Sequence, residues 1–181
     1  MSRVLALRNR QRVRAVDTRL LRRIAAWALA ELFRADGYEL GIHLVAAHEM
    51  AGVNEAFLGH PGSTDVITFD HVEAGQPSRP PPGRLARNLR GQGARGGRRD
   101  GCPAFHGEIF IGLDDAVAQA RDFGVTWQVE LVRYLLHGLL HLQGFDDLTA
   151  AARRKMKREE NRLLRLAARQ FPLHRLARDS S

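Results

Sequence analysis

His137 and His141 stand four residues apart in the run His137-Gly-Leu-Leu-His141-Leu-Gln-Gly144-Phe-Asp146-Asp147. On a helix that spacing turns both imidazoles to one face. Gly144 offers a helix stop, because glycine takes the left-handed C′ conformation at little cost. The reversed chain can then bring Asp146 or Asp147 back toward the two rings. Two histidines and a carboxylate, with positions left open, form the donor set of a catalytic rather than a structural zinc site. Residue 138 is glycine, whereas a His-Glu-x-x-His peptidase needs glutamate there as general base. The pattern points to a hydrolase of another kind.

A simpler explanation exists for a histidine pair near a helix end: cationic imidazoles suit the negative end of the helix dipole. The surrounding residues argue against it. Val129, Leu131, Val132, Leu135, Leu136, Leu139, Leu140 and Leu142 make the helix apolar on most sides, so it is expected to be buried. Its polar residues Glu130, Arg133, His137 and His141 share one stripe. Buried polar groups need partners, and Asp147 is placed to supply one.

The elements that must position this group can be read along the chain. Val4 to Val13 alternates in part and is expected to hold a first strand. Asp17 is an N-cap for a helix carrying Leu20, Leu21, Ile24, Trp27, Ala28 and Leu32, which Gly37 ends. Tyr38 to Val45 alternates strictly, with Leu40, Ile42 and Leu44 on one face; His43 falls on the other, expected to be solvated and chemically idle. His48 to Phe57 is a short helix, broken by Gly59-His-Pro-Gly62. Strands follow at Thr64–Phe69 and Glu108–Ile111, then a helix opened by Asp114 or Asp115 and closed at Gly124. Thr126 caps the histidine helix, and a last helix runs from about Thr149 to Arg169 with Met156, Glu160, Leu163 and Ala167 on one face. Helices mixed with short strands indicate an α+β or α/β domain of three layers.

The chain has 181 residues, the size of one domain spanning 1–181. A single cysteine, Cys102, rules out a disulfide framework and a cysteine-rich zinc site, and fits a reducing compartment. No apolar run approaches the length of a membrane span. The first residues lack the order of a signal peptide, so a cytoplasmic protein with no membrane partner is expected. The net charge of +8 and a pI near 11.0 come mainly from arginine, which pairs with phosphate in bidentate fashion. That balance favours a nucleic-acid partner, although a GC-rich genome enriches arginine everywhere.

One segment departs from the pattern. From about Glu73 to Ala104 the chain is rich in Gly, Pro and Arg, with seven arginines and almost no apolar residues. Such a composition cannot bury enough apolar surface to order itself. Lying between two strands, it is expected to be a mobile insertion that contacts RNA when bound. The alternative is a tolerated surface loop of biased composition.

Taken together these residues resemble the YbeY family of bacterial rRNA maturation endoribonucleases. That family carries His-Gly-x-Leu-His-Leu-x-Gly-Tyr-Asp-His, and this chain matches at His137, Gly138, Leu140, His141, Leu142, Gly144 and Asp146, with Phe145 in place of tyrosine. Asn54 ahead of Thr64-Asp65-Val66-Ile67-Thr68-Phe69 is similar to the family's asparagine-bearing helix and Thr-Asp-Val-Leu-Ser-Phe strand. Gly107-Glu108-Ile109-Phe110-Ile111 resembles its Gly-Asp-Ile-x-Ile strand. The resemblance covers most of residues 1 to 170 outside the insertion.

The resemblance implies a compact α+β, metalloprotease-like YbeY fold: a small mixed sheet flanked by helices, with the metal in a cleft. It implies His137, His141 and Asp147 as ligands of one Zn²⁺ per subunit, with Mn²⁺ or another divalent metal as alternatives. It implies Thr64 and Asp65 lining the cleft, and Asp146 orienting a ligand. The implied function is a single-strand endoribonuclease in 16S rRNA 3′ end maturation and ribosome quality control, with single-stranded rRNA and the small ribosomal subunit and its proteins as partners. Two positions depart. Asp147 stands where the family has a third histidine; a carboxylate there lowers the net charge of the site and moves preference toward harder ions. Leu58 stands where relatives carry an arginine facing the metal, which a phosphate contact would use. A non-enzymatic ribosome-assembly factor and a metal-dependent hydrolase of another substrate class are the rival readings.

Overall fold

The computed structural model describes residues 2–71 and 104–178. The arginine-rich segment lies outside the described residues, apart from Ala104, which opens a strand. The chain order is β1 (Arg3–Asn9), α1 (Thr18–Trp27), β2 (Gly37–Val45), α2 (Ala47–Leu58), β3 (Val66–Asp70), β4 (Ala104–Gly112), α3 (Leu113–Asp122), α4 (Trp127–Leu142) and α5 (Ala150–Gln170). A π-helical turn, Ala28–Leu32, extends α1, and a 3₁₀ turn, Leu173–Leu176, follows α5. The four strands form one mixed sheet in the order β1-β2-β4-β3. β1, β2 and β4 run parallel, and β3 is antiparallel to β4 at the edge. This is the α+β sheet flanked by helices that the sequence predicts.

The alternation in β2 decides the layers. Leu40, Ile42 and Leu44, with Ile109 and Ile111 of β4, face α1 and α4 in the main core. The opposite face carries Val45 and Ile67, which pack with Met50 of α2 in a second, smaller cluster. α5 packs on α4 from outside. His43 needs correction here. It lies on that second face, yet only 5% of it is exposed. The face is not solvent at this point: Phe110 stacks on the imidazole at 4.5 Å, and Nε2 sits 3.0 Å from Glu108 Oε1. Exposure of the second face was inferred from polar residue types, whereas aromatic side chains from neighbouring strands cover it.

Of the two predicted caps, Asp17 bonds through its side chain, whereas Thr126 stands at the N-cap of α4 without a side-chain cap hydrogen bond. The Asp17 carboxylate accepts from Leu20 N at 2.9 Å, and Thr149 Oγ1 accepts from Ala152 N at 3.1 Å. Asp114 acts across elements: it accepts from Ala47 N at 2.6 Å and so holds the start of α2.

Gly138 sets how closely α4 approaches the sheet. A Cβ at this position would lie 2.7 Å from Ile109 Cγ2 and 3.3 Å from Thr68 Cγ2. Residue 138 therefore points at β4 and β3, so even glutamate could not be accommodated here without moving the helix. We expect Gly138→Ala to lower stability by about 1–3 kcal/mol, the usual cost of overpacking. Denaturant unfolding would register it, and an unchanged midpoint would show that the helix has room to shift.

Candidate metal centre

The end of α4 is built as the sequence predicts. Gly144 has φ 87°. Its N–H bonds to His141 O at 2.8 Å, and Phe145 N–H bonds to Leu140 O at 3.0 Å. These two bonds form a Schellman motif, which satisfies the last carbonyls and reverses the chain. The reversal brings Asp147 beside the histidines. One donor atom from each of His137, His141 and Asp147 lies within 4.8 Å of the others, and all three residues are half-buried.

The ring orientations fit a metal. Each imidazole has its Nδ1 engaged: His137 at 3.1 Å from Glu160 Oε2, His141 at 3.0 Å from Phe145 O. Carboxylate and carbonyl partners of this kind fix the tautomer of ligating histidines. Both Nε2 atoms are thereby aimed at one point and lie 3.0 Å apart. Tetrahedral bonds of 2.0–2.1 Å would set them roughly 3.3 Å apart, so little adjustment is needed.

Behind the rings lies an ion network that sequence reasoning missed. Arg133 Nε donates to Glu130 at 3.0 Å, and its Nη1 donates to Glu160 and Asn161, both at 2.8 Å. Glu130 is 1% exposed and Glu160 8% exposed, so the carboxylates are satisfied by Arg133 and His137 rather than by water. The polar stripe of α4 thus finds its partner mainly in α5. A signal was present: Glu160 is the one charged residue on the stripe of Met156, Leu163 and Ala167.

The protonation of the pair follows from this geometry. Burial disfavours charge on His137, but the Glu160 hydrogen bond and the charges of Glu160, Asp65 and Asp147 outweigh it and raise its pKa. On His141, burial and the neighbouring His137 charge prevail and lower the pKa. Burial acts to raise the Glu160 pKa, yet the bonds from His137 and Arg133 bring it below the usual range.

The remaining predicted residues divide. The charge of Asp65 acts to raise the pKa of both histidines. Thr64 Oγ1 donates to Asp65 Oδ1 at 3.0 Å, and Val66 N donates to the same oxygen at 2.9 Å, which holds that carboxylate in place. Asp146 is exposed and its Oδ1 accepts from Leu148 N at 3.1 Å. The orienting contact expected of it is made to His137 by Glu160. Leu58 closes α2 and is half-buried against the Val45, Met50 and Ile67 cluster.

The fold and the site together define an α+β domain whose buried helix ends in a histidine–histidine–carboxylate group able to hold a metal. The sequence model of the family described as Endoribonuclease YbeY matches residues 6–168, and the chain belongs to that family. A relative named Endoribonuclease YbeY from Anaeromyxobacter sp. (strain Fw109-5) is 35% identical over 154 residues, 85% of this chain and 66% of the relative. Another from Chlorobaculum tepidum is 35% identical over 115 residues, 63% of this chain and 64% of the relative. A third from Salinibacter ruber is 32% identical over 112 residues, 62% of this chain and 59% of the relative. The chain thus spans less than two thirds of the length of these relatives. A solution structure of a Thermotoga maritima protein shares the fold, with TM-score 0.56 and 19% identity over 98% of this chain and 97% of that one. Among the described residues, no helix is long and apolar enough to cross a membrane.

Proposed function

We propose that the chain is a metal-dependent endoribonuclease that cleaves single-stranded RNA in 16S rRNA 3′ end maturation and ribosome quality control, in the cytoplasm. The supporting observation is the convergence of His137, His141 and Asp147 on one point, with both Nδ1 atoms engaged elsewhere. The three side chains would hold one divalent ion, zinc by donor type, with manganese favoured by the carboxylate. A bound metal supplies Lewis-acid polarisation of a phosphoryl oxygen and acidifies water. The protein's own part is positional. Glu160 holds His137, the Phe145 carbonyl holds His141, and Thr64 with Val66 N holds Asp65 at the cleft. On this reading Asp65, held by those two bonds, is the carboxylate that takes up a proton there. The assembly-factor reading keeps one observation, Leu58, which offers no phosphate contact. Metal analysis of purified protein, followed by cleavage of single-stranded RNA with and without chelator, tests the proposal. RNA binding without chelator-sensitive cleavage would favour the assembly factor.

The pH dependence of metal loading follows from the same contacts. A metal must displace the proton from His137, whose pKa is raised. Affinity is therefore expected to weaken as pH falls through that raised value. Glu160→Gln removes a charge that raises it, so the midpoint should move to lower pH. Loss of this orienting partner should also cost about 10–100-fold in affinity at neutral pH. Calorimetric zinc titrations at several pH values measure both effects, and an unmoved midpoint would contradict the assigned role of Glu160.

A further inference from the structure

α5 presents two opposed stripes. Met156, Glu160, Leu163 and Ala167 are buried against the domain. On the other side Lys155, Arg158, Arg162, Arg165 and Arg169 recur at steps of three and four residues, and all are exposed. They therefore form one cationic row, about 21 Å long at 1.5 Å per residue. Among the described residues, Arg162 is the one member of the row with a paired acid, Glu159, at 2.9 Å. Four of the five cations line a groove of about 490 Å³ together with Phe145. The Phe145 ring, partly buried against the core, lines it with Lys155 Nζ over the ring, 5.1 Å from its centroid.

The groove adjoins the turn that carries the metal group, through Phe145. Phe145 is the residue whose carbonyl accepts from His141 Nδ1 at 3.0 Å. An aromatic face set among cations suits a single strand, whose unstacked bases are free to stack while its phosphates pair with the guanidinium groups. A duplex would offer phosphates but no open base, and an acidic peptide would leave the ring unused.

We propose that this groove, formed by Phe145, Lys155, Arg158, Arg162 and Arg165, is the track that holds the flank of a single-stranded RNA next to the metal centre. The inference rests on the endoribonuclease reading for its substrate class, but concerns binding and is tested without cleavage.

The experiment measures anisotropy of a labelled short single-stranded RNA with the full chain in excess chelator, over a range of salt. Arg158→Glu/Arg165→Glu is compared with Arg22→Glu/Arg23→Glu, which makes the same charge change on exposed residues of α1. The groove variant should lose about tenfold or more in affinity. Its dependence of log K on log salt should fall by about 1.4, from two lost contacts at roughly 0.7 each. The α1 variant should change by less than about threefold. Phe145→Leu keeps an apolar side chain but removes the stacking face, and should weaken single-strand binding about tenfold. Equal losses in the two charge variants, no loss in the groove variant, or no RNA binding by the wild type would overturn the proposal. So would competition by duplex RNA or an acidic peptide as strong as by single strand. Chelator-sensitive cleavage by a groove variant of unchanged affinity would sink the track and leave the catalytic reading standing. Groove-dependent binding with no cleavage would do the reverse.

Discussion

His141→Ala is expected to abolish metal-dependent cleavage and to remove the stabilisation that metal gives the wild type. The ring supplies one of the three converging donors, and its Nδ1 bond to Phe145 O also fixes the turn that carries Asp147. Two donors remain after truncation, too few for the three-ligand arrangement of a catalytic site. A ligand that binds only the folded state raises stability by about 2.7 kcal/mol at a hundred times its Kd. The wild-type thermal midpoint should accordingly rise with added zinc while that of the variant stays put. The thermal measurement separates loss of metal from loss of RNA binding, since RNA need not be present. A variant whose midpoint still rises with zinc would show that His141 is not a ligand.

Leu58→Arg is expected to raise the rate of cleavage. Phosphodiester cleavage spreads negative charge over the phosphate oxygens, and fixed donors aimed at that charge are worth about 10²–10³ in rate each. The family resemblance implies an arginine where this chain has Leu58. The side chain is half-buried against Val45, Met50 and Ile67, so the new arginine loses some packing but keeps a path to solvent. An increase of up to about 10²-fold is therefore the expected result. Rates must be compared at saturating RNA, because an added cation also tightens binding. No gain at saturation would place the needed positive charge elsewhere, and no chelator-sensitive cleavage by either protein would end the endonuclease assignment.

Local rules carried far along this chain. The strict alternation of Leu40, Ile42 and Leu44 marked β2, and the Asp17 cap marked the start of α1. Gly144 marked the turn that delivers Asp147, because the constraint lies in its own backbone angle. The convergence of His137, His141 and Asp147 was legible for the same reason: all three lie within eleven consecutive residues, and helix geometry plus one turn determines their separation. Edges were less legible. The first strand ends at Asn9 rather than running to Val13, where Gln11 instead bonds to Val13 N at 2.6 Å and closes a loop.

What the sequence alone determined, then, is the convergence of His137, His141 and Asp147, the turn that produces it, and an α+β chain able to bury the helix that carries the histidines. Tertiary structure decided the environment of that set. His43 became buried because aromatic side chains of other strands fold over it, which no alternation pattern reports. Glu160 became the partner of His137 from 23 positions away, and Arg133 joined it to Glu130. Gly138 became a packing contact rather than a place for a general base because Ile109 and Thr68 stand opposite. The physical reason is common to all three. Backbone angles and side-chain periodicity act over a few residues, whereas desolvation and ion pairing depend on whatever surface the fold brings up against a residue, however distant in sequence.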